Sequence, residues 1–157
     1  MSTGGSPTNT ILIATDGSPA GQEAVEFGIE LAVEHDAAVV FVHVVPSMDR
    51  VATNGFGMVG AVPHETSPRD YLALEKAQAV AAERGVRARS KVLVGDVADE
   101  IVTYADDIRA DLTIVGSRGR GAVTSALLGS VSRDVLAEST RPVVVVRGAI
   151  EATARSA

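Results

Sequence analysis

The 157-residue sequence contains no cysteine and no tryptophan. Without cysteine, a disulfide framework, thiol catalysis and cysteine-ligated zinc or iron–sulfur sites are excluded. Aromatic residues make up only 3% of the chain, so a hydrophobic core has to be built mainly from aliphatic side chains. A chain of this length buries enough surface to fold as one domain without a covalent or metal staple. Glycine, by contrast, is plentiful, with 15 residues.

Basic residues are too few and too scattered to form a nucleic-acid surface. The 20 acidic side chains outnumber the 14 basic ones, for a formal charge of −6, and we expect no nucleic-acid partner. Residues 1–10 lack the basic start and apolar stretch of a signal peptide, and the longest apolar run, Ala37–Val45, is too short to cross a bilayer. These features predict a cytoplasmic protein with no membrane contact.

Five short runs of branched aliphatic residues predict five strands. The runs are Thr10–Thr15, Ala38–Val45, Val86–Val94, Leu112–Gly116 and Pro142–Arg147. Most are apolar at consecutive positions, which is typical of parallel strands buried on both faces. The third run instead alternates Arg87, Arg89 and Lys91 with smaller residues, which predicts a strand at the edge of the sheet.

Four predicted helices alternate with these strands. They cover Pro19–His35, a segment that begins at the cap Ser67 and stops at Gly85, a segment that begins at Asp96, and much of Ala122–Ser139 with a potential break at Gly129. Strand–helix alternation requires crossover connections and therefore a parallel sheet. The sequence thus predicts an α/β fold, a single-domain open five-stranded parallel sheet with helices on both faces.

Three segments fall outside this pattern. We expect flexible tails over residues 1–9 and 148–157, on either side of a domain that spans residues 10–147. The connection 46–66 carries three glycines and two prolines and is predicted to be a long irregular loop. Such loops are uncommon in compact domains and are usually either mobile or functional, so a lid or a partner contact is one hypothesis for this segment.

Candidate binding residues follow the first, second and fourth predicted strands. In open parallel sheets, ligands bind beyond the carboxyl ends of the strands, where the winding of the sheet reverses. The residues at these places are Ala14, Thr15 and Asp16 after the first strand, His43 and Val44 in the second, and Gly116, Ser117, Arg118, Gly119 and Arg120 after the fourth.

The glycines after the fourth strand form the pattern Gly116-x2-Gly119-x9-Gly129-Ser130. Glycines let backbone N–H groups approach an anion, and a helix that begins at Ser130 adds N–H donors and a positive dipole end. The spacing fits a polyphosphate site, and it also fits a plain strand-to-helix turn. The chain has no Gly-x-x-x-x-Gly-Lys-Ser/Thr loop, which excludes a P-loop enzyme, and no Gly-x-Gly-x-x-Gly after the first strand, which argues against a nicotinamide site.

Together these motifs resemble the universal stress protein (UspA-like) family, specifically its ATP-binding branch, whose mark is Gly-x2-Gly-x9-Gly-Ser/Thr. The supporting segments are Ile11–Ser18, Val42–Val45, Asp111–Gly116 and Arg141–Val146, and the resemblance covers Thr10–Arg147. It implies a sheet in the strand order 3-2-1-4-5, of the adenine nucleotide alpha hydrolase-like class. It also implies that ATP binds between the ends of the first and fourth strands.

Carried over residue by residue, the resemblance implies a nucleotide site. Ala14, Thr15 and Asp16 would lie beside the adenosine, and the Val44 backbone would contact the adenine. Gly116, Ser117, Arg118, Gly119 and Arg120 would line ribose and phosphates, and the phosphate tail would rest on Gly119, Gly129, Ser130, Val131 and Ser132. Family members often have proline where this chain has Ala14. A magnesium ion bridging the phosphates fits this picture, although no carboxylate cluster marks a metal site.

Simpler interpretations of two residues stay open. Asp16 fits a helix cap as well as a ligand, and His43 fits a core histidine better than a general base. Asp96 follows the third strand as a phosphoacceptor would in a receiver domain, but an N-cap explains it too.

The leading functional prediction is an ATP-binding regulatory or stress-response module that acts through nucleotide occupancy on an unidentified protein partner. The alternative is a slow ATP hydrolase or autophosphorylating enzyme of the same fold, for which no catalytic residues can be assembled from the sequence. Val143–Val146 would leave an apolar sheet edge exposed in a monomer, and the family commonly pairs that edge, so we expect a homodimer.

Overall fold

Strands and helices alternate along the chain as predicted. The computed structural model describes residues 9–47, 50–54, 57–62, 66–118 and 128–147. The elements in these residues are β1 (Thr10–Ala14), α1 (Pro19–His35), β2 (Ala38–Pro46), β3 (Arg50–Asn54), β4 (Gly57–Val62), α2 (Pro68–Glu83), β5 (Ala88–Gly95), α3 (Val97–Asp107), β6 (Leu112–Gly116), α4 (Ser130–Glu138) and β7 (Val143–Val146).

The main sheet has five parallel strands in the order β5-β2-β1-β6-β7. If these five strands alone are numbered along the chain, the order is 3-2-1-4-5. The predicted strand order is therefore confirmed. The strand with alternating cations, β5, lies at one edge as predicted, and β7 lies at the other. The winding reverses at β1, between β2 and β6, so the switch point is at the ends of β1 and β6.

Each face of the sheet carries its own aliphatic layer. Ile11, Ile13 and their neighbours pack against α1 and α2, whereas Leu12, Val40 and their neighbours pack against α3 and α4. Consecutive residues of a strand therefore both lie in a core, which explains the apolar runs. Phe41 is the one aromatic residue among the largest fully buried side chains of the described residues, in line with the aromatic-poor composition.

Side-chain caps fix the starts of three helices. Ser18 and Asp96 each accept a hydrogen bond from the backbone N–H three residues further on, at the starts of α1 and α3. At the start of α2, the Asp70 carboxylate accepts from the Ser67 backbone N–H at 2.6 Å, which completes a capping box. The N-cap interpretation of Asp96 is thus confirmed, and the cap of α1 is Ser18 rather than Asp16.

The connection 46–66 differs from the prediction of an irregular loop. It contains β3 and β4, which pair antiparallel with a register irregularity between Val51 and Thr53. Each run is only five or six residues long, too short for its pattern to stand out among the glycines. The register pairs Asn54 with Gly57, so the two residues between the strands are Gly55 and Phe56, and a Gly-x pair is the sequence signal that could have revealed this hairpin.

The remaining boundaries differ from the predicted ones by small amounts. The predicted break at Gly129 is instead the N-cap of α4, and the predicted helical stretch before residue 128 lies outside the described residues. Residues 1–8 and 148–157, predicted as tails, also lie outside them. Asn9 is described, and its carbonyl accepts a hydrogen bond from Ala38 N–H at 2.8 Å.

Candidate functional site

The carboxyl ends of β1 and β6 lie side by side at the switch point, with Ile13 paired to Ile114. A side chain at Gly116 would bring its Cβ within 2.8 Å of the Ala20 carbonyl oxygen. The missing side chain therefore lets the first turn of α1 pack directly against the end of β6. This close approach brings the β1–α1 turn and the segment after β6 together.

The β1–α1 turn is held by a dense set of hydrogen bonds. The buried Thr15 donates its N–H to the Val42 carbonyl at 2.9 Å, and its hydroxyl oxygen accepts from Gly17 N–H at 3.2 Å. Asp16 Oδ1 accepts from Ser18 N–H at 2.9 Å, and Gly17 has a φ of +78°. The Asp16 carboxylate is thus held at the sheet edge by its own turn rather than used as the cap of α1.

The two ends of the glycine motif meet in space. Gly129 N–H donates to the Ser117 carbonyl at 2.7 Å. The buried hydroxyl of Ser132 donates towards the same carbonyl at 3.2 Å and towards the Gly129 carbonyl at 2.9 Å. The Ser132 hydroxyl therefore faces inward and supports the turn, which leaves only its backbone N–H for a ligand.

The first turn of α4 has the features of an anion site. Its N-cap, Gly129, supplies no side-chain hydrogen bond, and the first N–H groups of a helix have no acceptor within the helix. Ser130 is exposed, Val131 is half-buried, and the half-buried Arg118 comes from the segment after β6. N–H donors and a positive dipole end together favour a phosphate or carboxylate. The predicted site residues Gly119 and Arg120 lie outside the described residues.

A cavity of about 250 Å³ adjoins this turn on the side of α3. It is lined by Pro46, Ser47, Gly95, Asp96, Val97, Ala98, Ser130, Val131 and Asp134. Ser130 and Val131 belong to the predicted site, whereas the β5–α3 turn does not. Gly95 lies at the end of a strand and directly before the helix cap Asp96, and Gly116 likewise lies at the end of a strand. This similarity is the sequence signal that could have identified the β5–α3 turn.

The β1–α1 turn also borders a larger cavity of about 550 Å³, between α1 and α2. Thr15 and Gly17 form one end of it, and side chains of both helices, including Val25 and Val80, form the walls. Its volume lies in the range of small-molecule sites.

His43 lies on β2 close to the β1–α1 turn, with 11% of its side chain exposed. Its Nδ1 is 3.0 Å from the Thr15 carbonyl oxygen, and its Nε2 is 3.9 Å from Asp70 Oδ1. Because a carbonyl only accepts, Nδ1 carries the proton in this contact. Nδ1 is therefore engaged by the β1–α1 turn, and Nε2 faces a carboxylate at ion-pair distance, which agrees with the core interpretation better than with a general base.

The described residues contain neither a cluster of metal ligands nor a membrane-spanning helix. No three His, Asp or Glu side chains among them come together as a metal site. A magnesium ion at the candidate site would thus take most of its ligands from phosphates. None of the helices in the described part of the chain has the length and apolar character needed to cross a membrane.

Acidic side chains of α3 and α4 face one another beside the smaller cavity. A hydrogen bond with Asp99 is the main cause that raises the pKa of Glu138 above its ordinary value, followed by slight desolvation and by repulsion from Asp99, Asp134 and Asp96. A carboxyl group with a raised folded-state pKa favours folding when protonated. Its contribution is therefore present at low pH and lost as the pH rises through the folded-state pKa.

Glu138→Gln should raise the melting temperature slightly at pH 7 and low salt, because it removes this repulsion. The gain should shrink in high salt and disappear below the ordinary pKa of glutamate, where the wild-type carboxyl is protonated. Thermal melts from pH 3 to 8 measure the effect, with Glu30→Gln on the exposed side of α1 as the matched control. A lower melting temperature than wild type at pH 7 would contradict this explanation.

The fold and the site together define a doubly wound α/β protein with a glycine-rich candidate anion site at its switch point. The model of the universal stress protein family matches residues 7–147, and the chain belongs to this family, as its motifs predicted.

Individual relatives agree with this membership. Universal stress protein MJ0531 of Methanocaldococcus jannaschii is 34% identical over 137 residues, which cover 87% of this chain and 81% of the relative. Universal stress protein YxiE of Bacillus subtilis is 34% identical over 146 residues, which cover 88% and 99%. A crystal structure of a universal stress protein in complex with cAMP has a TM-score of 0.66 and 25% identity, covering 88% of this chain and 95% of that one.

Proposed function

We propose that this universal stress protein binds an adenine nucleotide, ATP foremost, at the ends of β1 and β6. The observation that carries the proposal is the uncapped first turn of α4, tied through Gly129 and Ser117 to the end of β6. This arrangement sets backbone N–H donors at the switch point without a lysine. The cAMP complex of the similar universal stress protein supports an adenine nucleotide as the ligand.

The assignment of residues follows the two halves of the site. Ala14, Thr15, Asp16 and the Val44 backbone take the adenosine. Gly116, Ser117, Arg118 and, by their place in the motif, Gly119 and Arg120 line ribose and phosphates. The phosphate tail rests on the turn at Gly129, whose own N–H is bonded to Ser117, and is bound by the backbone N–H groups of Ser130, Val131 and Ser132. A magnesium ion is held by the phosphates.

We propose occupancy rather than turnover as the mode of action, with a protein partner that distinguishes the two states. Both candidate bases are engaged, since Asp16 accepts from the Ser18 backbone and His43 donates to the Thr15 carbonyl. An activated nucleophile with an oriented base is not found among the described residues. The ATP-hydrolase alternative therefore has no observation in its favour, and a cytoplasmic location stays a prediction.

ATP should raise the melting temperature of the purified protein. A ligand at about 100 times its Kd stabilises the folded state by about 2.7 kcal/mol, which corresponds to roughly 5–10 °C for a domain of this size. Thermal shifts with ATP, AMP, cAMP and CTP, each with and without magnesium, rank the ligands. The comparison of CTP with ATP tests whether the site selects adenine over another nucleobase. No shift with any adenine nucleotide at millimolar concentration would overturn the proposal.

We also propose that β7 pairs with a second copy of the chain. Thr113 N–H and Ser117 N–H donate to the carbonyls of Pro142 and Val146, so alternation along the strand points Val145 N–H away from β6. All four valines of β7 are half-buried rather than covered. An unpaired apolar edge of this kind invites another strand.

Val145→Pro should convert the dimer into a monomer, because it removes an outward donor and leaves the β6–β7 ladder intact. Val145→Thr retains the N–H group and is the matched control. Sedimentation velocity at micromolar concentration gives the result. A monomeric wild type, or a Val145→Pro variant that stays dimeric, would exclude this interface.

A further inference from the structure

His43 joins two parts of the molecule that are far apart in the sequence. Its ring donates from Nδ1 to the carbonyl of Thr15, in the turn that carries Asp16, and presents Nε2 to Asp70 at the start of α2. The side chain is 11% exposed, and that of Asp70 is 18% exposed. The contact between Nε2 and the Asp70 carboxylate is at ion-pair distance, 3.9 Å, and lies largely beneath the surface, where electrostatic interactions are less weakened by water.

Both ends of this link are fixed by other hydrogen bonds. At one end, Asp70 Oδ2 accepts from the Ser67 backbone N–H at 2.6 Å and from its hydroxyl at 3.1 Å, which leaves Oδ1 as the oxygen nearest His43. At the other end, Thr15 is fixed through its N–H and its hydroxyl. The imidazole adds a third hydrogen bond to Thr15, and its other nitrogen faces α2, so His43 is the residue that connects Thr15 with that helix.

We propose that His43 is a positioning residue for the nucleotide site and couples the first turn of α2 to it. This inference rests on the proposed function. The ring holds the Thr15 carbonyl and so sets the place of the Asp16 turn, without itself touching the nucleotide. Because α2 follows directly after the connection with β3 and β4, a partner that displaces the start of α2 changes nucleotide affinity through this ring.

The chemistry of the amide side chains separates the two contacts of the ring. In asparagine, the amide nitrogen occupies the place of Nδ1 and can donate to the Thr15 carbonyl. Glutamine places its amide nearer the position of Nε2, within reach of Asp70 but not of Thr15. His43→Asn therefore keeps the contact with the turn and loses the contact with α2, whereas His43→Gln does the reverse.

Isothermal titration with ATP measures the effect in the full chain. His43→Ala should weaken binding about tenfold, the loss expected when a buried carbonyl is left without its donor. His43→Asn should restore the affinity to within about threefold of wild type, and His43→Gln should not. Val39→Ala, a core truncation at the far end of β2, is the control for general destabilisation and should leave the affinity unchanged.

A double-mutant cycle tests the coupling to α2. Asp70→Ala should weaken ATP binding a few-fold in the wild-type background and have no further effect in His43→Asn, where the link is already cut. Equal effects in both backgrounds would overturn the coupling.

The outcomes keep this inference apart from the proposed function. A wild type that binds no adenine nucleotide overturns the proposed function itself. If wild type binds ATP and His43→Ala binds it equally well, only the role of His43 is overturned. A loss in Val39→Ala as large as that in His43→Ala also overturns it.

Discussion

Gly129→Asp should abolish nucleotide binding and leave the stability of the protein close to that of wild type. Aspartate is among the best N-cap residues, and here its carboxylate would accept from the N–H groups of the first turn of α4. In the variant, the introduced carboxylate supplies the negative charge at the helix N-terminus. In wild type, Gly129 supplies no side chain to accept from the N–H groups there. A phosphate brought to the same place meets a negative charge and fewer free donors.

The expected loss is large because close like charges cost several kcal/mol, which is more than a hundredfold in affinity. Aspartate improves on glycine as an N-cap by only a few tenths of a kcal/mol, and crowding offsets this gain, since a Cβ at residue 129 would lie 3.2 Å from the Ser117 carbonyl oxygen. A large loss of affinity with almost unchanged stability distinguishes this mechanism from simple unfolding, which lowers both.

Gly129→Asn is the matched control because it has the same shape and capping ability without the charge. It should weaken ATP binding less than Gly129→Asp does, and the two variants should melt at similar temperatures. Isothermal titration and thermal melts without ligand supply both quantities. ATP affinity in Gly129→Asp equal to that of wild type would mean that the phosphates do not lie at α4.

Local signals predicted most of the fold. The bounds of α1 followed from Ser18 and Pro19, a cap and the first helical residue, and the edge position of β5 followed from its alternating cations. Such signals act over a few residues, where backbone preference and burial decide together. The order of the sheet came from the family resemblance, since alternation alone gives parallel strands but not their arrangement.

The parts of the site that could not be predicted are contacts over long distances in the sequence. The bond between Ser117 and Gly129, the turn at Gly95 and the link from His43 to Asp70 each join separate elements. The residue types show that each group can form a hydrogen bond or an ion pair. Which group it contacts depends on how the helices pack against the sheet. Ser132 illustrates this, because only the structure turns its hydroxyl away from the ligand side.

Gly28→Ala should destabilise the protein, although alanine is the better helix former. A Cβ at Gly28 would lie 2.2 Å from Cδ1 and 2.9 Å from Cγ1 of Ile13, and 3.2 Å from Cδ1 of Ile114. Both isoleucines are fully buried, so any shift of these side chains displaces other core atoms. Overpacking of this kind costs about 1–3 kcal/mol or more, against a helix-propensity gain of about 1 kcal/mol.

Ile13→Val removes the atom that clashes most and should rescue Gly28→Ala. Alone, Ile13→Val should cost about 0.5–1.5 kcal/mol through the space it leaves, yet the methyl group that Gly28→Ala adds fills that space in the double variant. Urea unfolding of the four proteins therefore gives a favourable coupling energy of about 1 kcal/mol or more. Additive effects would show that α1 moves away from β1 instead, and nucleotide affinity would then fall with stability, because α1 carries the turn at Asp16.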